Sequence, residues 1–196
     1  LTRGELGTRG TVAIRDQETE KATAIIGASI RENMNFKDGF FKDDEEHKRA
    51  LIKKIRKYRP EIIITNALSD RHPDHPRGAQ ITVDASFLSG LQKIETGQKI
   101  WKPRAVYHYI QFNNFNPDIV VDISLQMDLK IKAVKAYASQ FYNPKSTESE
   151  TIISTKDFLE SVKYRAKDLG RQSNCKYAEG FIAHQLPKLH SLLDIK

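Results

Sequence analysis

Hydrophobic and polar positions alternate along the chain with two different periods, which predict both helices and strands. A first helix is predicted to begin after the N-cap residue Thr11 and to end at Gly27. A second is predicted over 42–59, where apolar residues recur at helical spacing, acidic residues come first and basic residues come last. The β-branched run over 61–67 follows a proline and predicts a short, buried strand of the parallel type.

The rest of the chain continues this alternation. Its pattern predicts a helix over 79–91, strands over 105–112 and 118–124, helices over 127–142 and 156–172, and a short segment over 177–183. Helices that alternate with apolar strands indicate an α/β sandwich with a mostly parallel sheet. Because we find no internal repeat and no long linker, we expect a single domain over 1–196.

Composition and charge restrict the class of protein and its partners. Lysine and arginine number 32 against 25 acidic residues, a formal net charge of +7 that favours polyanions or small acidic substrates as ligands. The densest basic stretch lies on the predicted helix 42–59 and has no interleaved aromatic platform, so a solvated helix face is favoured over a nucleic-acid site. Cys175 is the single cysteine, so no internal disulfide can form and a reducing compartment is favoured. No apolar run reaches the ~20 residues of a membrane span, and no signal peptide is apparent. We therefore expect a cytoplasmic protein with no nucleic-acid or membrane partner.

The segment Arg71-His72-Pro73-Asp74-His75 is the most informative for chemistry. It places two imidazoles, a carboxylate and a guanidinium directly after the predicted strand 61–67. Paired histidines are often structural, but ligands of open α/β sheets bind at the carboxyl ends of strands, and this position favours a metal or catalytic site. A catalytic zinc takes three protein ligands plus water, so further ligands must come from another loop.

Several motifs together resemble those of the LmbE/PIG-L family of zinc-dependent N-acetylglucosaminyl deacetylases. The motifs are Arg71-His72-Pro73-Asp74-His75, Thr2-Arg3-Gly4-Glu5 followed by Arg15, and Tyr177-Ala178-Glu179-Gly180-Phe181. The segments 87–91, 106–112 and 137–142 are similar to the branch that deacetylates N-acetylglucosaminyl malate during bacillithiol synthesis. The resemblance covers nearly the whole chain and implies a Rossmann-like three-layer sandwich, a zinc cofactor and a small N-acetylglucosamine conjugate with an acidic aglycone as substrate.

The resemblance also implies roles for individual side chains in the predicted site. His75 corresponds to a zinc ligand, His72 to a cationic donor that faces the reacting carbonyl, and Asp74 to the carboxylate that holds His72. These roles are chemically reasonable because zinc lowers the pKa of bound water to ~7 and an imidazolium stabilises a developing oxyanion.

Three further residues are implied to bind the substrate. Arg15 and Arg71 correspond to positions at the substrate or the product acetate, and Glu5 to a position near sugar hydroxyls. For Arg15 the sequence alone favours a surface charge on a helix. Glu5 and Arg71 lie in predicted loops, where binding residues concentrate.

One signature of the family does not occur in this sequence. Ala-His-Pro-Asp-Asp, which supplies two zinc ligands and the general base, normally precedes the Thr-Arg-Gly-Glu segment. We expect that an N-terminal strand and helix are missing from this sequence, and that the chain from Leu1 alone is inactive. The alternative functions are a non-catalytic remnant that binds a sugar or a partner, and a nucleic-acid-binding module suggested only by charge. The native metal and association into a homo-oligomer stay open.

Overall fold

The computed structural model describes residues 1–194. The described residues contain five α-helices and four β-strands, interspersed along the chain. Their bounds are α1 (Val12–Ile26), α2 (Glu45–Tyr58), β1 (Ile62–Thr65), α3 (Asp74–Leu88), β2 (Ala105–Tyr109), β3 (Ile119–Asp122), α4 (Met127–Ala136), α5 (Lys156–Gln172) and β4 (Ala178–Ala183). The α/β class predicted from the sequence is confirmed.

The four strands form one sheet in the order β1-β2-β4-β3. β1 and β2 pair in parallel, with Ile63 opposite Val106, whereas β2 and β4 pair antiparallel, with His108 opposite Ile182. The sheet is therefore mixed, and the prediction of a mostly parallel sheet is wrong beyond β1 and β2. The three-layer, Rossmann-like arrangement stays a prediction.

The chain divides into two compact units, whose three boundaries fall after residue 41, within β3 and within β4. Unit 1 comprises 1–41 and 120–179, and unit 2 comprises 42–119 and 180–196. The single domain expected over 1–196 stays a prediction. None of the helices in the described part of the chain has the length and apolar character required to cross a membrane.

Unit 2 is built around the packing of α2 against α3. Ile52 and Ile55 of α2 and Ala85 of α3 are buried together, and Trp101 packs against them. The helical spacing of the apolar residues in α2 brings these side chains to one face, as predicted. Arg56 of α2 is also buried, and its guanidinium donates hydrogen bonds to oxygens in the segment after α3. These contacts hold α3, which begins at the predicted site.

Unit 1 pairs α1 with α4 and contains a second apolar cluster. Ile123, Met127 and Ile131 are buried there with Ala166 of α5. α1 has the predicted caps, because the Thr11 side chain accepts a hydrogen bond from the Ile14 backbone and Gly27 adopts the left-handed conformation. Its buried residues, however, are Arg15, Glu18 and Ala22. The buried face of α1 is thus largely polar.

α3 begins earlier than the pattern predicts. The sequence indicated a helix from 79, but the helix starts at Asp74, so Asp74 and His75 lie in its first turn. Pro73 precedes the helix and Pro76 lies in the first turn, where the missing proline N–H costs no intrahelical hydrogen bond. The end of the candidate motif is therefore helical and not a loop.

Candidate functional site

The loops that follow β1 and β2 meet in unit 2 and carry the candidate site. The two strands are parallel neighbours, so they end at the same edge of the sheet. The backbone N–H of Phe112 donates to Asp70 Oδ2 over 2.9 Å, and Asn113 Nδ2 donates to Ser69 Oγ over 3.3 Å. The Arg71 guanidinium lies 5.4 Å from the centre of the Phe112 ring. These contacts position the exposed Arg71 beside an aromatic face.

Asp70 is a central residue of this site that the sequence analysis did not assign. Its side chain is 1% exposed, and it accepts hydrogen bonds from the backbone N–H groups of His72 and Phe112. Burial by itself raises the pKa of Asp70, but the hydrogen bonds donated by Phe112 and His72 and the contact with His75 outweigh it, so the pKa is lowered. Asp70 is therefore a buried carboxylate that its surroundings keep ionised.

The two histidines of the motif lie side by side and have different partners. Their ring centres are 5.1 Å apart. His75 Nδ1 is buried 3.0 Å from Asp70 Oδ1, within ion-pair distance although the ring N–H is not aligned for a regular hydrogen bond. His72 Nδ1 faces the backbone N–H of Asp74 at 3.3 Å. His72, Asp74 and His75 thus lie together at the start of α3, and their roles stay predictions.

Asp74 is buried at the start of α3. Its carboxylate accepts a hydrogen bond from Arg77 Nη1 at 2.6 Å, and its backbone N–H faces His72. An acidic residue at the first position of a helix is favourable because the helix dipole is positive at that end. Asp74 therefore contacts His72 through its backbone, a contact that sequence alone did not predict.

The fit of these residues to a zinc ion is partial. Zinc-binding histidines almost always have a carboxylate or carbonyl partner at the second ring nitrogen, and Asp70 stands in that relation to His75. Within residues 1–194, however, no group of three or more His, Cys, Asp or Glu side chains is placed to hold a metal ion. The residues described do not make a complete catalytic zinc site.

His108 is fully buried in β2. β2 lies between β1 and β4, so the residue is packed and not at an edge. Its Nδ1 lies 2.8 Å from the Asn66 carbonyl oxygen, and its buried Nε2 has no hydrogen-bond partner among the described residues. Burial lowers the pKa of His108, the Asn66 carbonyl opposes that effect, and the nearby His184 adds to it. The ring is therefore held neutral.

Arg15 lies in unit 1 and is buried, contrary to the surface position that the sequence alone favoured. It is 9% exposed, and its guanidinium donates one hydrogen bond, from Nη2 to the Arg9 carbonyl oxygen over 2.9 Å. Nε is buried with no partner in the described part of the chain. Burial lowers the pKa of Arg15, and the carboxylates of Glu18 and Asp38 partly offset this. A buried guanidinium without an ion pair is costly unless a ligand satisfies it.

A cavity of about 910 Å³ in unit 1 gives Arg15 access to such a ligand. Polar side chains line it from α1, from the chain start and from the segment after α1. The lining residues include Arg3, Arg15 and Arg31, together with Tyr137 at the end of α4. Arg3 is paired with Asp16, and Arg31 donates to the Tyr137 hydroxyl over 3.1 Å. Among the residues that the structure describes, Arg15 is therefore the cationic group of this set with no side-chain hydrogen-bond partner.

Glu5 lies in an exposed turn of unit 1. Its Oε1 accepts a hydrogen bond from the Asp38 backbone N–H over 2.8 Å. The Asp38 carboxylate in turn accepts from Thr2 Oγ1 and from the Leu6 backbone N–H. These contacts give Glu5 a structural role in the loop, while its role with sugar hydroxyls stays a prediction.

Comparison with known proteins identifies the family. The model of the family described as PIG-L, GlcNAc-PI de-N-acetylase, matches residues 1–86. The conserved protein TT1542 from Thermus thermophilus is 31% identical in sequence to this chain. Its crystal structure matches with a TM-score of 0.87, over 98% of this chain and 82% of TT1542. The chain belongs to the PIG-L family. The residues matched by the family model include Thr2-Arg3-Gly4-Glu5, Arg15 and the segment 71–75.

Other similar proteins differ in the activity that their names state. This PIG-L chain is 27% identical to a diacetylchitobiose deacetylase of Thermococcus kodakarensis, over 92% of this chain and 68% of the relative. The N,N'-diacetylchitobiose deacetylase of Pyrococcus horikoshii, at 23% identity, and the hydratase GalB of Pseudomonas putida, at 22%, each have a TM-score of 0.76 over 93% of this chain. The match spans 70% of the Pyrococcus horikoshii chain and 78% of the GalB chain. The last two similarities show the shared fold alone.

Proposed function

We propose that this PIG-L chain is an N-deacetylase that removes the acetyl group from an N-acetylglucosamine conjugate. The observation that carries the proposal is the pair His72 and His75 beside the buried Asp70, at the carboxyl end of β1. The name of the diacetylchitobiose deacetylase relative supports an amide of N-acetylglucosamine as the bond that is cleaved. Water adds its oxygen to the acetyl carbon, the C–N bond breaks, and the products are acetate and the free amine.

His72 is proposed to act on the reacting amide. Its Nδ1 faces the Asp74 backbone N–H, which leaves Nε2 to hydrogen-bond the carbonyl oxygen or to pass a proton to the leaving nitrogen. Asp74 is the positioning residue for His72, because it holds the ring from the first turn of α3. The far end of α3 is in turn fixed by Arg56, which donates to the Ser89 carbonyl oxygen.

Arg71 of unit 2 is proposed to bind a polar group of the substrate, and the corresponding role of Arg15 in unit 1 stays a prediction from the resemblance. Arg71 is exposed and supported by the Phe112 ring, so its guanidinium is free to bind a carboxylate in bidentate fashion. Arg15 is buried against the cavity of unit 1 with unsatisfied hydrogen-bonding capacity. Arg71 and the net charge of +7 support an acidic aglycone, and N-acetylglucosaminyl malate is the substrate we propose.

Zinc dependence is part of the proposal, with His75 as a ligand. Bound zinc would lower the pKa of water to ~7 and so supply hydroxide at neutral pH. The described residues do not complete the ligand set, so zinc dependence rests on metal measurements. Elemental analysis of the purified protein, before and after dialysis against a chelator, measures it directly.

The proposed function is tested by measuring acetate release from two substrates. Purified protein that also carries the family's Ala-His-Pro-Asp-Asp segment is incubated, with added zinc, with N-acetylglucosaminyl malate and, in parallel, with diacetylchitobiose. We expect acetate from both, with the larger kcat/KM for the malate conjugate. Acetate from diacetylchitobiose alone would retain the deacetylase and reject the acidic aglycone. No acetate from either, with zinc bound, would overturn the deacetylase assignment in favour of a binding protein.

A further inference from the structure

The peptide group that joins Asn66 to Ala67 has a hydrogen-bond partner on each of its two sides. Its carbonyl oxygen, which belongs to Asn66, lies 2.8 Å from His108 Nδ1. Its N–H, which belongs to Ala67, donates to Gln111 Oε1 over 3.4 Å. A carbonyl oxygen can only accept, so His108 is the donor of the first contact. Two side chains from β2 and the loop after it therefore hold one peptide group from opposite sides.

This peptide group is the first one after β1. The strand ends at Thr65, which lies opposite His108 in the parallel pair, and the chain then leaves the sheet towards Asp70. Backbone groups that leave a strand ladder need other partners, because a buried backbone group without one is costly. Ala67 is 1% exposed, and His108 is fully buried. The two side chains from the next strand supply partners at the point where β1 ends.

We propose that His108 and Gln111 are positioning residues for the candidate site. We call these two residues the peptide clamp. The clamp fixes the plane of the Asn66–Ala67 peptide, and a rotation of that plane changes one backbone dihedral on each side of it. The plane thus sets the direction in which the loop leaves β1 and carries Asp70 into the site. The clamp itself does not depend on the reaction, whereas its effect on turnover rests on the proposed function.

The clamp is in register with the contacts that join the same two loops further from the sheet. Phe112 donates through its backbone N–H to Asp70 Oδ2, and Asn113 donates to Ser69 Oγ. Positions 66 and 67 thus meet 108 and 111, and positions 69 and 70 meet 112 and 113. A change in direction at the clamp would misalign these later contacts, including the hydrogen bond that holds the Asp70 carboxylate.

Both members of the clamp are themselves restrained. Gln111 Oε1 also accepts from Asn66 Nδ2 over 3.3 Å, so one oxygen holds a side chain and the next backbone amide. His108 lies in β2, which is flanked by β1 and β4, and its ring cannot leave the core without disturbing the sheet. An apolar side chain at position 108 would fill the same space but would not donate. The clamp accounts for a polar ring at a fully buried position of a strand.

Amide hydrogen exchange, followed by NMR, measures the clamp without an enzymatic assay. Gln111→Ala removes the acceptor, and His108→Leu removes the donor. The Phe112 amide bridges the two loops through Asp70, so its protection factor reports whether the loops stay in register. We expect both substitutions to lower this protection about tenfold or more. Protection as in the wild type in both variants would overturn the proposal.

The Trp101 amide separates a local effect from a general loosening of unit 2. It donates to the Ser89 carbonyl oxygen over 3.1 Å, away from the two loops, and its protection should not change. Equal losses at Trp101 and Phe112 would reject a specific clamp. If His108→Leu does not fold, Gln111→Ala decides the outcome, because position 111 is only half-buried.

Two further variants provide the rescue and the control. His108→Asn places its amide nitrogen near the position of the imidazole Nδ1 and keeps a donor for Asn66, so we expect it to retain protection at Phe112. Gln185→Ala is the matched control, because Gln185 also bonds a backbone group, the Arg104 carbonyl oxygen, but at the opposite end of β2. It should leave Phe112 unchanged. Loss of protection in His108→Asn equal to that in His108→Leu would reject the donor role.

Kinetics separate the clamp from the proposed function. In protein that also carries the Ala-His-Pro-Asp-Asp segment, we expect Gln111→Ala and His108→Leu to lower kcat about tenfold or more, because small displacements of a site are costly for turnover. His108→Asn should stay within about threefold of the wild type. If the wild type releases no acetate but the variants lose Phe112 protection, the proposed function fails and the clamp stands. Normal kcat in variants that lose protection would keep the function and reject the positioning role.

Discussion

Gly7 lies so close to the guanidinium of Arg15 that a Cβ atom at position 7 would be 2.5 Å from Arg15 Nη2. Such a contact is too short, so the arginine would have to move. The absence of a side chain at position 7 therefore helps to set where Arg15 lies in unit 1. Sequence reasoning attributed the glycines of this segment to loop composition and did not connect them to Arg15.

We predict that Gly7→Ala raises KM for the acidic substrate about tenfold or more and leaves kcat within about threefold. The physical reason is that a displaced guanidinium loses charge-assisted hydrogen bonds, which contribute about 1.5–3 kcal/mol each. Thr8→Ala, in the same exposed loop, is the control and should behave as wild type. In an Arg15→Ala background, Gly7→Ala should add nothing. Additive effects on KM would show that position 7 acts independently of Arg15.

The capped helices of this fold were predictable because their signals are local. Thr11 and Gly27 supply the cap interactions of α1 themselves, and α5 matches the predicted 156–172 for the same reason. The early start of α3 was also signalled, since Pro73 and Pro76 suit a helix start. The motif His-Pro-Asp-His was instead interpreted as a loop after a strand.

The partners of the buried polar groups were not predictable from one sequence. Glu18 is buried because its carboxylate accepts hydrogen bonds from the backbone and hydroxyl of Ser139, 121 residues away. Asp70 depends on Phe112, 42 residues later. Hydrophobic periodicity reports which face of an element is apolar, but it carries no information on which distant donor compensates a buried charge.

We predict different outcomes for alanine substitutions at the two histidines. In a protein that also carries the Ala-His-Pro-Asp-Asp segment, His75→Ala should remove stoichiometric zinc and activity together, because a lost ligand opens the site. His72→Ala should retain zinc and lower kcat about a hundredfold or more, the scale of losing a general acid or an oxyanion donor. Metal content by elemental analysis and acetate release are measured on the same samples. Full zinc occupancy in His75→Ala would reject the ligand assignment, and normal turnover in His72→Ala would leave that residue structural.

Arg56 is predicted to be a large contributor to the stability of the fold. Arg56 is 3% exposed. Its guanidinium donates to the carbonyl oxygens of Ser89, Leu91 and Ile94 and to Thr96 Oγ1. Arg56→Ala should lower the free energy of unfolding by about 2–4 kcal/mol, because several buried acceptors lose their donor.

Arg56→Lys should recover little of this stability, since one ammonium cannot replace a planar fork of donors. Arg104→Ala is the control, because the Arg104 side chain is exposed and should change stability by less than about 0.5 kcal/mol. Urea denaturation followed by circular dichroism measures all three variants. Equal midpoints for Arg56→Ala and Arg104→Ala would contradict the prediction.

The buried His108 predicts a loss of stability in mild acid. Its pKa is lowered in the folded protein, so below about pH 6.5 the unfolded chain binds a proton that the native ring does not. Stability should therefore fall as the pH decreases through that value towards the folded pKa, by at most about 1.4 kcal/mol per pH unit for this group.

His108→Asn provides the comparison for this prediction, because it removes the titrating ring. The stability difference between the wild type and this variant should be constant above about pH 7 and should shrink below about pH 6.5. Urea denaturation across this range measures it. A difference that is independent of pH would show that His108 titrates alike in both states.

The hydrogen bond from Phe112 to Asp70 is made by the backbone and not by the ring. Replacing the side chain at position 112 by leucine or alanine would keep that amide donor. Such variants would test only whether the Phe112 ring supports Arg71. Proline alone among the standard residues lacks the donor. In a saturation library, position 112 should therefore tolerate varied side chains and reject proline, a pattern that reveals a functional backbone atom which alanine scanning misses.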